Sequence, residues 1–268
     1  MLKTPLLVAS IVLSALLVAG CGDSKKPADG GNNASGGGGN TGGGGDAGGA
    51  AKTADVANGA VVKGVIKFDG TPPNDKPLGI DGEDFCKGKH PDGLKSEYYR
   101  VKDGKVANCL VYVKEGLSGK YAPVNPSPTI DQHGCQYLPH VLGVVAGQDI
   151  IIKNSDSIAH NIHALPKKSQ EFNFAQTKAG EEAKKSFSSA EIVKIKCDIH
   201  GWMGCVVGVF NHPFFAVTGE DGSFEIKGLP AGKYKLEVWH EKFGTQTVDV
   251  EVKEKETKSV DFPALKSE

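Results

Sequence analysis

Arginine is almost absent: of the 31 basic residues in this 268-residue chain, only Arg100 carries a guanidinium. That excludes the guanidinium clusters that recognise phosphate, and a formal net charge of −1 argues against nucleic acid as a partner. Methionine is equally scarce, with two in the chain, the initiator and Met203. The apolar run from Leu6 to Gly20 has fifteen residues, short of the roughly 20 that a membrane-spanning helix needs. No long segment shows helical apolar spacing. No Cys-x-x-Cys-His supplies a covalent haem, and neither a carboxylate pair nor a serine nucleophile motif offers hydrolytic chemistry.

What is present begins with MLKTPLLVASIVLSALLVAGC, in which Lys3 precedes the apolar run in the manner of an export signal. Val18-Ala19-Gly20-Cys21 resembles the lipobox of bacterial lipoproteins. The resemblance implies that residues 1–20 are removed and that Cys21 is lipidated, placing the protein on a bacterial envelope membrane. An ordinary signal cut elsewhere and an uncleaved anchor are the alternatives, and Gly22 leaves open which membrane holds it. Loss of residues 1–20 leaves 30 basic against 32 acidic residues, a mature charge near −2. Residues 21–57 are mostly Gly, Ala, Asn, Asp and Lys with two GGGG runs, a flexible tether that could not form a core. About 36 such residues have a root-mean-square reach of roughly 30–36 Å.

The remaining stretch reads as strands. VVKGVIKFDG (61–70), CLVYVKEG (109–116), HVLGVVAGQDIIIKNSD (140–156) and CVVGVF (205–210) are β-branched runs bounded by Gly, Asn or Asp. An all-β sandwich is the expected class. Beyond His212, short strands separated by GEDG, GLPAG and KFG resemble the small transthyretin-like or carboxypeptidase-regulatory β-sandwich modules. Such modules are usually structural or interaction units, so this likeness implies a fold and no activity. The expected division is residues 58–211 and 212–268.

The chemistry concentrates in KCDIHGWMGC (196–205), where Cys197, His200 and Met203 lie three apart and three apart again. A thiol, an imidazole and a thioether so close make a soft-metal site, a disulfide half such as Cys197 with Cys205, or a core strand. Upstream, NSDSIAHNIHALP (154–166) places His160 and His163 three apart at the end of a β-branched strand. On a strand, positions i and i+3 face opposite sides, so only one of the two can enter a given site. One histidine from here completes two imidazoles, a thiolate and a thioether, the donor set of blue copper.

IAHNIH followed by C-D-I-H-G-W-M resembles the cupredoxins, in detail those of the amicyanin type, with plastocyanins sharing the His-Asn pair but using a longer last loop. The resemblance implies a cupredoxin-like Greek-key sandwich followed by the smaller module, with one type 1 copper held by His160, Cys197, His200 and Met203. It also implies that Asn161 ties the two ligand loops together beside the thiolate, and that His163 is the histidine of the other face. Cupredoxins dock partners at a solvent-reaching imidazole edge, which would put Trp202 at the surface beside His200. Alternatively Trp202 packs under the tail module, which would then shield the loop.

With Cys21 assigned to lipid and Cys197 to metal, Cys86, Cys109, Cys135 and Cys205 remain, an even number in an exported protein. Of the three pairings, Cys86 with Cys135 and Cys109 with Cys205 are favoured, the first pair in loop-like segments and the second at strand starts. His90, His133 and His140 flank the first pair. They would make a second metal site, or, more blandly, surface and core histidines. The expected function is a membrane-tethered carrier of single electrons between redox protein partners, not an enzyme. The alternatives are a copper storage, delivery or sensing protein, and an envelope interaction or carbohydrate-binding module. The sequence leaves the oligomeric state unknown.

Overall fold

A computed structural model describes residues 51–123 and 126–267. The expected signal at 1–20, the expected lipid site Cys21 and most of the expected tether lie outside the described residues. Among the described residues no helix is long and apolar enough to cross a membrane. They fall within one unit, Ala47–Glu268.

The chain is all-β, as its alternation predicts, and builds two packed sandwiches. In the first, a five-stranded sheet runs in the order Phe172–Gln176, His160–Leu165, Glu191–Lys196, Gly204–Phe210, Val141–Val145. It faces a four-stranded sheet ordered Glu182–Lys185, Ile150–Asn154, Thr129–Gln132, Tyr137–Leu138. Between them lies a core containing Ile130, Tyr137, Ile152, Ile162, Phe187, Val193 and Val207. The run 140–156 is two strands, one in each sheet, because the chain turns at Gly147, whose φ of +81° is a left-handed conformation that glycine adopts freely.

The second sandwich packs a three-stranded sheet (Ser223–Leu229, Ala60–Val65, Thr257–Ser259) on a four-stranded one (Phe215–Val217, Leu110–Glu115, Gly232–His240, Gly244–Val252). It is therefore interleaved in sequence: two of its strands, 60–65 and 110–115, precede every strand of the first sandwich. A division at 211/212 does not follow the hydrogen bonding, since Val111 pairs with Val238 and Val62 with Ile226. The two sandwiches meet through Leu110, Val141, Val206 and Phe210, with Tyr112, Phe215 and Trp239 at the margin. Gly143 and Gly208, partners across a parallel ladder, permit this approach. A Cβ on Gly143 would lie 2.5 Å from the Phe215 ring, and one on Gly208 2.7 Å from Leu110.

Cys86 and Cys135 form the expected disulfide. The expected partnership of Cys109 with Cys205 is corrected, for both are free and buried. Cys109 sits in the core of the second sandwich and Cys205 in that of the first, so a whole sheet separates them. Burial pushes the Cys109 thiol up to about 12 and raises that of Cys205 as well, which leaves both inert at neutral pH.

His240 closes the seam end of its strand, stacked on Phe243 with ring centroids 4.4 Å apart. Burial, reinforced by nearby His140 and Lys242, depresses its pKa to about 4 from an ordinary 6.5, against the opposing pull of Glu241. An imidazole held neutral in the folded state must be protonated preferentially in the unfolded one. Its contribution is therefore complete above pH 6.5 and disappears as the pH falls towards 4, a loss of about 3 kcal/mol. Urea titrations at pH 7 and pH 4 are expected to show that decline. In His240→Gln the slope should flatten over the same interval; an unchanged slope would assign the acid sensitivity elsewhere.

Candidate metal centre

The strand Ile150–Asn154 ends in a turn that Asn154 organises: its Oδ1 accepts from the Asp156 N–H at 2.9 Å, and its Nδ2 donates to the Ile158 carbonyl. This holds Asp156 inside the protein and starts the strand His160–Leu165 with His160 facing inward. His160 is fully buried, while His163 turns outward to Asp198 and Glu171 at 2.9 and 2.8 Å. The two-sided expectation for this pair thus holds in the structure.

Cys197–Met203 is the loop of the hairpin made by Glu191–Lys196 and Gly204–Phe210, whose last pair is Lys196 with Gly204. Two backbone bonds close it, Cys197 N to the Met203 carbonyl at 3.2 Å and Met203 N to the His200 carbonyl at 2.9 Å. So short a turn has no choice but to gather its side chains at one end of the sandwich. Lys196 also pairs with His163 on the other side, bringing the start of the loop against the His160 strand.

The result is a convergence of donors. His160 Nδ1 and His200 Nδ1 are 2.9 Å apart, and His200 Nδ1 is 3.9 Å from Cys197 Sγ. One ligand atom from each of the three residues fits within a 4.8 Å span, and all three residues are buried. Met203 is buried in the same core as Cys197. Asn161 spans the two ligand segments: its side-chain oxygen accepts from the Asp198 N–H at 3.0 Å, and its own N–H donates to Cys197 Sγ at 3.4 Å.

Electrostatics favours a thiolate. Burial alone would push the Cys197 thiol up, but the His160 side chain and the N–H groups of His200, Asn161 and Ile199 outweigh it, leaving the pKa below its ordinary value. At His160, burial works against the charged form, yet Asp156 and Cys197 raise its pKa. His200 is shifted the other way, by burial and then by the neighbouring His160.

Asp156, which sequence reasoning missed, sets the tautomer. Its carboxylate accepts from His160 Nε2 at 2.9 Å and from the N–H groups of Gly134 and Cys135, both at 2.8 Å. With Nε2–H committed to a carboxylate, the lone pair of His160 is on Nδ1, aimed at His200 and Cys197. A carboxylate four residues before a candidate ligand was the available signal in NSDSIAH. Two imidazole nitrogens and a thiolate sulfur within 4.8 Å of one another, two of the pairs at 2.9 and 3.9 Å, suit a single ion with bonds of about 2.0–2.3 Å. Soft sulfur beside imidazole fits copper or zinc, and the buried thioether on the same loop favours copper.

The expected solvent-reaching edge of His200 is not there, for His200 is only 4% exposed. Its ring lies against Trp202 with centroids 5.1 Å apart, and its Nε2 is 3.9 Å from Glu83 Oε2. Trp202 is half-buried and donates from Nε1 to the Cys135 carbonyl at 3.2 Å. The cover is thus the segment 76–100, tied to Cys135 through the Cys86 disulfide, rather than the tail module. His90, His133 and His140 do not gather into a site. His90 bonds the Gly134 carbonyl, His133 is exposed, and His140 pairs with Glu241 at the seam.

Residues 204–265 match the carboxypeptidase regulatory-like domain family, less than a quarter of the chain. No curated protein matches. Among solved structures, the chain is similar to a novel purple cupredoxin from Nitrosopumilus maritimus (22% identity, 31% of this chain and 99% of that one, TM-score 0.28). It is similar also to a Cu(I) variant of amicyanin (17% identity, 37% and 97%, TM-score 0.29). A third likeness is to a copper-containing nitrite reductase from Thermus scotoductus (19% identity, 36% and 25%, TM-score 0.30), of which the chain spans a quarter of the length. At that TM-score level none of these likenesses transfers an activity to this chain.

Proposed function

We propose that the protein is a copper protein that carries single electrons between extracytoplasmic redox partners, tethered through Cys21 to a bacterial envelope membrane. The observation that carries the reading is the meeting of His160 Nδ1, on its own strand, with His200 Nδ1 and Cys197 Sγ of the loop that also holds Met203, at one buried point. His160, Cys197 and His200 would hold the ion, with Met203 as a weak fourth ligand. Copper, when bound, supplies a one-electron Cu(I)/Cu(II) couple.

The chain's own contribution is rigidity. Asp156 fixes the His160 ring, Asn161 ties the loop to the strand, and two N–H groups support the sulfur. A site held this firmly changes little between oxidation states. With the thioether as fourth ligand, no position remains for a substrate, and the protein is proposed not to be an enzyme. The lipobox and the Gly-rich tether support the membrane placement.

Titration of the purified protein with Cu(II) tests the reading. One equivalent per chain should develop an intense visible charge-transfer band that then saturates. A colourless protein carrying stoichiometric Cu(II) would refute it. The burial of His200 favours a second reading, storage of copper, because a covered imidazole lengthens the path to a partner. The two separate on the electron self-exchange rate, which is fast for a carrier and negligible for a store.

A further inference from the structure

The segment 76–98, which contains the short helix Asp84–Lys89, has no part in either sandwich's sheets, yet its apolar side chains belong to the core around the proposed metal ligands. Ile80, Cys86 and Leu94 are buried there with Cys197 and Met203, and Leu78 and Phe85 pack against the same cluster. The segment holds itself in shape through backbone bonds between Leu78 and Leu94 and between Ser96 and Lys76. Tyr98 packs on His140 and under Lys242 at its end, and one covalent anchor holds its middle. Cys86 is bonded to Cys135, and His90 bonds the carbonyl of the adjacent Gly134.

That anchor touches both ligand-bearing segments. The N–H of Cys135 is held by Asp156, which orients His160, and its carbonyl receives Trp202 of the ligand loop. Where residues 78 and 95–98 meet Trp202, Met203 and Gly204, the remaining space is about 20 Å³, roughly one water. His160, Cys197 and Met203 face the packed core, at 0, 2 and 3% exposure. At His200, itself 4% exposed, the partly exposed side chain of Glu83 (38%) places its Oε2 3.9 Å from the imidazole Nε2.

We propose that residues 76–98 form a disulfide-held lid on the metal centre, that copper enters and leaves by its displacement at the His200 edge, and that Glu83 is the first group an entering ion meets. This rests on the copper reading above. The lid makes the ion a resident, because a chelator cannot touch it until the segment lifts. The disulfide confines the opening to a small excursion by closing a 49-residue separation.

The test is removal of Cu(I) by bicinchoninate from the full-length loaded protein. With a lid in control, the release rate of the intact protein becomes independent of chelator concentration once opening limits it. The double variant Cys86→Ala/Cys135→Ala is expected to release copper about tenfold faster or more, since the cross-link no longer opposes opening. Glu83→Gln, which leaves the disulfide in place, is expected to slow Cu(I) uptake several-fold without altering the melting temperature. A release rate that rises in proportion to bicinchoninate in the intact protein overturns the proposal, even if the double variant fails to fold. Equal release rates in intact protein and a copper-loaded double variant also overturn it while leaving the copper site standing. Absence of stoichiometric copper from the intact protein overturns both.

Discussion

Cys197→Ala is expected to remove the visible charge-transfer band completely and to weaken Cu(I) binding by on the order of a thousandfold or more. The size follows from what the sulfur does. Among the convergent donors it alone carries a negative charge, and the thiolate is the form in which cysteine binds metal. Two imidazoles and a thioether are neutral, so their hold on Cu(I) lacks the charge neutralisation of the wild-type site. An outer-shell partner costs about 10–100-fold in metal affinity when removed, and a ligand costs more. The fold should survive. Alanine fits the space, and the N–H groups of Asn161 and His200 that now point at Sγ can relax towards the remaining ligands or a water. Competition with a Cu(I) chelator gives the affinity, and far-ultraviolet circular dichroism at matched concentration checks the fold. Retained tight binding in this variant would mean that the ion is held by other groups.

Asp156→Asn should weaken copper binding by about 10–100-fold with all proposed ligands in place. The carboxylate is buried and accepts three N–H groups, those of Gly134, Cys135 and the His160 ring. Burial would raise its pKa, but the contacts from His160, Cys135 and Gly134 bring it below the ordinary value, so the charged form is the native one. Asparagine has one accepting oxygen and an amide that also donates. At least one of the three N–H groups therefore faces another donor, at a cost of about 1–3 kcal/mol in stability. If His160 Nε2 is the group left unpartnered, the ring can rotate or change tautomer, and Nδ1 no longer presents its lone pair to the ion. Loss of a negative charge beside the centre also disfavours the more highly charged oxidised state, so the reduction potential should rise. Protein-film voltammetry reads that shift, and Asp156→Glu, with the charge restored on a longer arm, should recover part of it. A merely structural Asp156 would lower the melting point in both variants and leave the potential unmoved.

Much of the centre was legible because its information is local. Cys197, His200 and Met203 share one seven-residue turn, and any backbone that closes such a turn brings them together. The period of two on a strand settled that His160 and His163 point apart, and hence that one of them faces Asp198 and Glu171 at the surface. The all-β class was equally accessible from alternation and turn residues, and so was the disulfide from Cys86 to Cys135, although the segment of Cys86 reads as a loop and forms a short helix.

Other features depended on which distant segments meet. Alternating β-branched residues suit any half-buried sheet, so nothing in residues 60–65 or 110–115 says that they complete a sandwich whose other strands follow residue 214. The same blindness paired Cys109 with Cys205, two strand-start thiols that proved to lie in different cores. Asp156 becomes the partner of His160 only because the 134–135 turn encloses it with two further N–H groups.

The donor types, their loop and the β class follow from spacing along the chain, which dictates which neighbours share a face or a turn. The disulfide-held segment over His200 and the interleaving of the two sandwiches emerge from the folded arrangement alone. Those are contacts between segments far apart in the chain, selected by packing and hydrogen-bond satisfaction that no local pattern records.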